Sequence, residues 1–340
     1  MTFTFQKGLL AGGLTFLFAL IALVSFYFWA SSGRYPRNRY AEIVNQEADA
    51  VTEKAGRDRS FTIVTYNIGY LSGLTNNLAV SRSRQLYDDN LAIAVKALKP
   101  LKADFIALQE IDLDSRRSFN VNQVEALAAG LDLPNRAIAV NWDKQYVPFP
   151  YWPPSAHFGH ILSSQAILSR YPIQRHERIA LAKVASKPFF YNAFYLDRLA
   201  QIAQINLDGQ PLILVNVHME AFDRATRSQQ TDFVKQLTEQ YLDRYPVLLL
   251  GDFNSPPPTA DDPNPTIETL LAVPKLEPAF NVDDAKTPAP ETFPADRPIA
   301  KLDYIFYSRD RIQPLEQRVI TEAGQASDHL PVLLKFQLIR

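Results

Sequence analysis

A carboxylate and a carboxamide lie two residues apart in Gly251-Asp252-Phe253-Asn254, directly after the apolar run 247–250. An apolar run bounded by a proline and a glycine predicts a central β-strand that is covered on both faces. Residues two apart in an extended segment face the same way, so Asp252 can act as a base or metal ligand and Asn254 as an amide donor. A simple strand-to-turn junction, capped by the two side chains, is the alternative interpretation of this tetrapeptide alone.

Polar side chains recur beside or within apolar, strand-like runs at five other places. These are, in chain order, Tyr66-Asn67-Ile68, Leu108-Gln109-Glu110, Asn216-Val217-His218, Leu302-Asp303-Tyr304-Ile305 and Ser327-Asp328-His329. Asp303 lies among apolar neighbours, where an unpaired charge is costly, so we expect it to have a partner. The polar ends of strands in open α/β sheets are where sites form.

In residue type and in order, these six motifs resemble those of the endonuclease/exonuclease/phosphatase superfamily, which has the fold of deoxyribonuclease I. The resemblance covers roughly Phe61 to the C-terminus. It implies an α/β, four-layer sandwich of two packed mixed β-sheets flanked by helices, preceded here by one N-terminal transmembrane helix. It also implies metal-dependent hydrolysis of a phosphoester by an activated water.

The resemblance implies that Asn67, Glu110 and Asp328 hold a divalent cation, with Glu110 as the principal ligand. Mg²⁺ is the expected ion and Mn²⁺ the alternative, because a hard cation bound by few carboxylates keeps waters and contacts substrate phosphate. Abasic-site endonucleases of this superfamily carry an acidic residue two positions after the first Asn, where this chain has Gly69. This difference favours the nuclease or sphingomyelinase-like branches and leaves one metal or two as open alternatives.

Catalytic roles are implied for His218, Asp252, Asn254, Asp303 and His329. Asp252 would activate or position the attacking water, and Asn254 would hold a phosphate oxygen. His218 and His329 would flank the phosphorus, stabilise the transition state and protonate the leaving oxygen, with Asp303 orienting His329. Which histidine delivers the proton is left open by the sequence.

Three other histidines and one arginine are interpreted more simply. His157, His160 and His176 are expected to be packing or loop residues, with an approach of His160 to the phosphate as the alternative. Arg198 precedes an apolar run and is expected to form a surface ion pair. The alternative for Arg198 is bidentate pairing with phosphate.

Residues 8–30 contain no charged side chain across 23 positions. At about 1.5 Å per residue such a helix reaches roughly 35 Å, which exceeds a hydrocarbon core of about 30 Å. The sequence therefore predicts an uncleaved membrane anchor over residues 1–30. A cleaved signal peptide is the alternative, although the apolar part is long for one and Phe28-Trp29-Ala30 is not a small-x-small cleavage site.

The basic residues around this segment give opposing indications of its orientation. Lys7 precedes it, and Arg34, Arg37 and Arg39 follow it, which favours a cytoplasmic domain. Anchors at an extreme N-terminus often lead an exported domain instead. We expect a single-pass membrane protein whose catalytic domain is extracytoplasmic.

Beyond the anchor, residues 31–60 are polar and predict a stalk or short helix, and residues 61–340 suit one large catalytic α/β domain. Helices are predicted within 79–98, around 121–131 and after Asp223, a candidate N-cap.

Two further segments are predicted to be loops. Residues 255–298 include eleven prolines among 44 residues. The aromatic segment 148–154 is a loop whose rings pack on their own domain, line the site or contact a bilayer.

The net charge of −1 and a pI near 6.5 give no basic footprint for tight, sequence-independent binding to nucleic acid. No cysteine is present, so neither a disulfide framework nor a thiolate metal site is possible. The expected partners are a membrane and a phosphoester substrate, whether a lipid headgroup, a nucleic acid or a small phosphoester, and the chain is expected to be a monomer. The alternatives are a catalytically silent, membrane-tethered binding module and a secreted hydrolase.

Overall fold

The computed structural model describes residues 2–46, 60–207, 209–257, 265–282 and 289–339. Its helices are α1 (Thr2–Ser31), α2 (Arg84–Leu98), α3 (Gln123–Leu131), α4 (Phe189–Phe194), α5 (Arg224–Leu242) and α6 (Pro265–Leu271). Its strands are β1 (Ala41–Val44), β2 (Phe61–Asn67), β3 (Phe105–Asp112), β4 (Asn135–Val147), β5 (Gly159–Ser169), β6 (Ile173–Ala180), β7 (Leu199–Leu207), β8 (Gln210–His218), β9 (Val247–Asp252), β10 (Leu276–Pro278), β11 (Asp303–Ser308), β12 (Ile312–Val319) and β13 (Val332–Leu338).

The described strands form two mixed sheets. One has the order β1-β4-β5-β3-β2-β13-β12, and the other β10-β11-β9-β8-β7-β6. Each sheet contains one parallel pair near its centre, β2 with β3 and β8 with β9, and its other pairs are antiparallel. The carboxyl ends of parallel strands meet at one edge, so each pair delivers two strand ends to the same place.

The sheets pack face to face and helices cover their outer faces, which confirms the predicted four-layer sandwich. The core between the sheets includes Ile63, Phe105, Leu214, Leu250 and Phe336, all buried. Outside the first sheet lie α2 and α3, and outside the second lie α5 and α6. Strand β9, which is buried on both faces, carries the continuous apolar run that predicted it.

The helix starts follow from capping side chains. The Asp223 carboxylate accepts a hydrogen bond from the Thr226 amide at 2.8 Å, as predicted for α5. Ser83 caps α2 by accepting from the Leu86 amide, so this helix begins at Arg84 and lies within the predicted range 79–98. Asn122 caps α3 in the same way. A side-chain acceptor satisfies an amide that has no partner within the helix.

Strand β1 lies inside the range 31–60, for which the sequence predicted a polar stalk or helix. It pairs with β4 as the edge of the larger sheet. Just before it, the Asp143 carboxylate accepts from the Arg34 and Tyr35 amides, both at 2.8 Å, and from the Tyr40 hydroxyl. The sheet therefore begins before Phe61. Residues 47–59 of the predicted stalk lie outside the described residues.

Helix α1 contains the segment Leu10–Ser31, whose most apolar window has a mean hydropathy of 2.1 and no residue buried by the rest of the chain. By length and composition this helix is suited to crossing a membrane. Its C-terminal end meets β4, where the Lys144 ammonium donates to the Ser31 carbonyl at 2.9 Å and the Gln145 amide to the Ser32 carbonyl at 2.8 Å.

Candidate active site

Four of the predicted site residues lie at the ends of the two parallel strand pairs. Asn67 ends β2, and Glu110 has a φ of 52° where the register of β3 shifts between Leu108 and Ile111. His218 ends β8 and is paired in register with Asp252, which ends β9. Because the two sheets face each other, these four side chains from both sheets converge on one edge of the sandwich.

The Gly-Asp-Phe-Asn motif has a steric explanation. Gly251 has a φ of 138°, and a Cβ atom there would lie 2.0 Å from the Val217 carbonyl oxygen. Phe253 is buried against Tyr304, with ring centroids 5.5 Å apart. The Asn254 amide returns to donate to Asp252 Oδ1 at 2.8 Å. The motif therefore brings two strands close together and holds Asp252 in one position.

Asp252 is the central carboxylate of the site. Asn67 Nδ2 donates to its Oδ2 atom at 2.9 Å, and Asn254 Nδ2 does so at 3.3 Å. Burial and the neighbouring Asp303 raise the pKa of Asp252 to about 7, against an opposing effect of His329. A carboxyl group with a pKa near neutrality is suited to general-base catalysis.

His329 and Asp303 form a buried pair. His329 Nδ1 lies 2.8 Å from Asp303 Oδ2, and His329 Nε2 lies 3.9 Å from Asp252 Oδ2. Burial disfavours the imidazolium, but Asp303 and Asp252 outweigh it and raise the pKa of His329 to about 10. The ring also packs on Phe293, with centroids 4.9 Å apart. This arrangement holds a charged imidazole with Nε2–H directed at the site.

His218 has a different partner. The Arg198 guanidinium donates to His218 Nε2 in a short contact. Burial, then the positive charge of Arg198 and that of His329, lower the pKa of His218 well below its usual value. Nε2 also lies 3.6 Å from carboxylate oxygens of both Glu110 and Asp252. His218 is therefore a neutral imidazole at the centre of the site.

Arg198 is buried rather than at the surface, so the predicted surface ion pair is wrong. Its Nε lies 3.6 Å from the Glu220 carboxylate, and its Nη2 donates to the Tyr195 hydroxyl at 3.0 Å. These contacts point the guanidinium at His218. The buried pair arises because β7 and β8 are adjacent, which brings the residue before β7 next to the end of β8.

Glu110, Asp328 and Asn67 form an oxygen-rich group. Asn76 Nδ2 donates to Glu110 Oε2 at 2.9 Å and lies 3.3 Å from Asp328 Oδ1, so one amide bridges both carboxylates. Asn67 Nδ2 lies 3.4 Å from Glu110 Oε1. Burial raises the pKa of Asp328, and repulsion from Glu110 adds to this shift. The Asn67 and Asn76 side chains face these carboxylates with their nitrogens, so the two carboxylates are the oxygen donors that fit a hard divalent cation here.

A second group of possible metal ligands consists of Asp252, Asp303 and His329. Ligand atoms of Asp252, Asp303 and His329 lie within 4.8 Å of one another. His329 Nδ1 already bonds to Asp303, however, and its high pKa opposes the neutral imidazole that a metal requires. The group around Glu110 is the better fit.

Gly69 leaves room for the carboxylate of Asp328, which belongs to the group around Glu110. It has a φ of 51°, and a Cβ atom there would lie 2.7 Å from Asp328 Oδ1 and 2.9 Å from Ser327 Oγ. The Ser327 hydroxyl donates to the Asn67 carbonyl at 2.8 Å, which fixes the loop that carries Asp328. A side chain at position 69 would displace Asp328.

All eight residues that the sequence singled out are thus brought together: Asn67, Glu110, His218, Asp252, Asn254, Asp303, Asp328 and His329. Sequence reasoning did not find Asn76, Glu220 or Tyr195, which lie in segments without a motif. His157, His160 and His176 lie apart: His157 contacts the Tyr146 hydroxyl, His160 lies 3.4 Å from Asp114, and His176 accepts from Gln201.

The sandwich and the cluster at its edge define a class of α/β proteins in which both sheets supply one site of carboxylates, amides and histidines. A model of the endonuclease/exonuclease/phosphatase family matches residues 64–329, and the chain belongs to this family. The family comprises hydrolases of phosphoesters, among them phosphodiesterases, nucleases and phosphatases, and its enzymes generally depend on divalent metals.

The chain is also similar in sequence to a curated bacterial protein. A UPF0294 protein of Vibrio cholerae serotype O1 is 31% identical over 132 residues, which are 39% of this chain and 42% of that protein. The chain therefore spans less than half the length of this curated relative.

Several solved structures share the fold. One is an endonuclease/exonuclease/phosphatase of Beutenbergia cavernae, with a TM-score of 0.61, 17% identity and coverage of 82% of this chain and 72% of that one. Another is the human Nocturnin catalytic domain with bound sulfate, with a TM-score of 0.58, 16% identity and coverage of 90% and 100%. A third is D. rerio TDP2 complexed with a single-strand DNA product, with a TM-score of 0.56, 17% identity and coverage of 82% and 100%.

Proposed function

We propose that this protein is a membrane-anchored, divalent-metal-dependent hydrolase of phosphoesters. The observation that carries the proposal is the convergence of eight side chains on one edge of the sandwich, with a buried carboxylate, Asp252, between a charged and a neutral histidine. A binding module would not need this set of acid, base and ligand groups, so the catalytically silent alternative has less support.

Asn67, Glu110 and Asp328 would hold the metal, Mg²⁺ being expected and Mn²⁺ the alternative. When bound, the ion neutralises negative charge on the phosphoryl group.

Asp252 accepts a proton from the attacking water, whose oxygen forms a bond to phosphorus while the bond to the leaving oxygen breaks. Asn67 and Asn254 hold the carboxylate in place through their amides. Asn254 is also the candidate for binding a phosphate oxygen. His329 supplies the proton for the leaving oxygen from Nε2, because Nδ1 is bonded to Asp303. General acid and base groups of this kind each contribute roughly 10²- to 10⁴-fold.

The neutral His218 and Arg198 form the phosphate-binding side of the site. Arg198 presents a guanidinium whose geometry suits bidentate binding of phosphate oxygens. Tyr195 and Glu220 hold it from behind, so its orientation is fixed before substrate binds. This geometry supports the phosphate-pairing alternative for Arg198 over the ion pair alone.

Helix α1 is proposed as the anchor and the folded unit that follows it as the catalytic domain, extracytoplasmic and monomeric. The substrate is a phosphoester, and a lipid headgroup, a nucleic acid and a small phosphoester are its candidate sources. Sequencing of the mature N-terminus tests the anchor. A terminus at Met1 or Thr2 would support it, and one beyond residue 30 would indicate the secreted hydrolase instead.

Hydrolysis by the full chain in detergent tests the chemistry. Bis(p-nitrophenyl) phosphate and p-nitrophenyl phosphate are offered with Mg²⁺, with Mn²⁺ and with a chelator, and Asp252→Asn is compared with His176→Gln as a matched control. Metal-dependent turnover lost only in Asp252→Asn is expected, and the preferred ester distinguishes a phosphodiesterase from a phosphatase. Turnover that survives Asp252→Asn would refute the assigned base.

A further inference from the structure

Large aromatic side chains are exposed on two segments of the catalytic domain. Tyr151 and Trp152, in the loop between β4 and β5, are 75% and 77% exposed, and Phe189 and Phe190, in α4, are 76% and 55% exposed. We call these four residues the aromatic rim. Exposed aromatic groups of this size mark interaction surfaces more often than isolated apolar residues do.

Both parts of the rim adjoin the C-terminal end of α1. On one side, the Tyr27 ring contacts Phe189 and Phe194, with centroids 6.2 and 5.7 Å apart. On the other side, Phe26 and Trp29 contact Tyr146, with centroids 6.0 and 6.5 Å apart. The rim therefore continues the surface of the helix at the end of its apolar segment.

The Tyr146 side chain leads on to the 151–152 part of the rim. Its hydroxyl lies 2.6 Å from His157 Nδ1, and His157 Nε2 lies 3.4 Å from the Tyr151 carbonyl oxygen. The Tyr151 and Phe149 rings are 6.1 Å apart, and Phe149 packs in turn on Phe158. The loop is thus held beside the helix, while the Tyr151 and Trp152 side chains stay largely exposed to solvent.

Basic side chains accompany the aromatic ones. Arg34 and Arg37 follow α1 directly and are exposed, as are Lys183 and Lys187 before α4. The Lys187 ammonium lies 5.3 Å from the Tyr191 ring centroid, and that of Lys183 donates to the Asn192 carbonyl. Aromatic rings mixed with lysine and arginine at the end of an apolar helix are the composition of a membrane–water interface.

We propose that the aromatic rim inserts into the headgroup region of the bilayer that α1 crosses, so that the catalytic domain lies against the membrane surface. The proposal rests on the proposed anchoring by α1. Its consequence for the site follows from the chain after α4, where the Tyr195 hydroxyl accepts from Arg198. The rim is therefore joined through Tyr195 to the phosphate-binding side of the site, which favours substrates presented at the membrane surface.

The absence of cysteine permits a direct test on the full chain. Single cysteines are introduced as Trp152→Cys and Phe190→Cys, labelled with a nitroxide and placed in nanodiscs of phosphatidylcholine, with and without phosphatidylglycerol. Leu315→Cys is the matched control, because Leu315 is 44% exposed on β12, at the sheet edge opposite β1. Leu20→Cys, within α1, reports on the anchor itself. Relaxation by oxygen and by a water-soluble nickel chelate gives the environment of each label.

The expected result is a several-fold higher oxygen-to-nickel ratio for the labels at 152 and 190 than for the label at 315, strengthened by the anionic lipid. Labels at 152 and 190 that are as accessible to nickel as the control, while that at 20 is in lipid, would overturn the rim and leave the anchor intact. A label at 20 that is accessible to nickel would overturn the anchor and the rim together, but not the hydrolase.

Discussion

The two histidines of the site lie on either side of Asp252, and their environments have opposite effects. His329 Nδ1 bonds to the Asp303 carboxylate at 2.8 Å, whereas His218 Nε2 accepts from the Arg198 guanidinium. Both rings are buried, so burial alone would lower both pKa values. The pKa of His329 nevertheless rises to about 10, and that of His218 falls well below its usual value.

The difference between the two pKa shifts comes from the charge of each histidine's partner, because both rings are buried. Burial removes water from both imidazoles and makes each respond strongly to its nearest charged neighbour. The pair of His329 with Asp303 stores a proton near Asp252, and the pair of His218 with Arg198 keeps an uncharged ring beside a fixed cation. In the proposed mechanism, one half of the site therefore supplies a proton and the other binds phosphate oxygens.

Removal of the proton donor should have the largest effect. In His329→Gln the amide cannot donate a labile proton to the leaving oxygen, so we expect kcat to fall by roughly 10²- to 10⁴-fold. Steady-state hydrolysis of bis(p-nitrophenyl) phosphate measures this loss. His160→Gln, which changes a histidine outside the cluster, should retain the rate of the parent chain. A kcat loss in His218→Gln that matches or exceeds the loss in His329→Gln would reverse the assigned roles.

Asp303→Asn should have the next largest effect, with a fall in kcat of about 10²-fold. The substitution keeps the shape of the partner but removes the negative charge that raises the pKa of His329, so the imidazole should titrate below about 10. NMR titration of the histidine ring protons in the presence of chelator measures the shift. An unchanged titration would show that Asp303 does not hold the proton.

Stability gives a second measurement of the same pair. Because the pKa of folded His329 is above the unfolded value of about 6.5, its contribution to stability is complete below that value and is lost as the pH rises through about 10. The melting temperature of the parent chain should therefore fall more between pH 7 and pH 10 than that of Asp303→Asn.

The elements and the site residues that could be predicted from sequence have a local cause. The apolar run before Gly251 predicts a buried strand, and the glycine and asparagine after it produce the turn that fixes Asp252. Asp303 could be expected to have a partner because its neighbours are apolar, and His329 is that partner. Strand β1 could not be predicted, because its side chains are exposed or half-buried and show no apolar alternation.

The rest depends on residues that are distant in sequence. Arg198 is buried beside Glu220, which lies 22 positions later in the sequence and is brought near by the pairing of β7 with β8. Asn76 joins two carboxylates from a loop without any motif. The opposite charge states of the two histidines follow from these partners, so the motifs alone identify both rings but not their roles.

Arg198→Lys should have a smaller effect, mainly on binding. Lysine keeps the positive charge beside Glu220 and His218 but loses the planar fork that holds phosphate. We expect KM to rise about 10-fold, equivalent to about 1.4 kcal/mol, with kcat reduced less. Initial rates over a range of substrate concentrations separate the two constants. A fall in kcat with KM unchanged would instead place Arg198 among the groups that act only in the transition state.

His176 provides the reference for burial without a charged partner. Its Nε2 accepts from the neutral Gln201 amide at 3.1 Å, and burial lowers its pKa to about 4. Since the pKa of folded His176 is below the unfolded value, the unfolded chain binds the extra proton first, and stability is lost as the pH falls from about 6.5 towards 4.

His176→Gln should therefore leave activity unchanged and alter only the acid dependence of stability. The glutamine oxygen can still accept from Gln201, but it does not titrate. Between pH 7 and pH 4.5 the parent chain should lose about 2 kcal/mol more free energy of unfolding than the variant, with allowance for the partial exposure of the ring. Urea unfolding of the full chain in detergent, followed by circular dichroism, measures how the free energy of unfolding changes with pH in the parent chain and in the variant. An equal pH dependence of stability in the two chains would mean that burial alone does not keep the His176 imidazole neutral. The low pKa of His218 would then have to come almost entirely from Arg198.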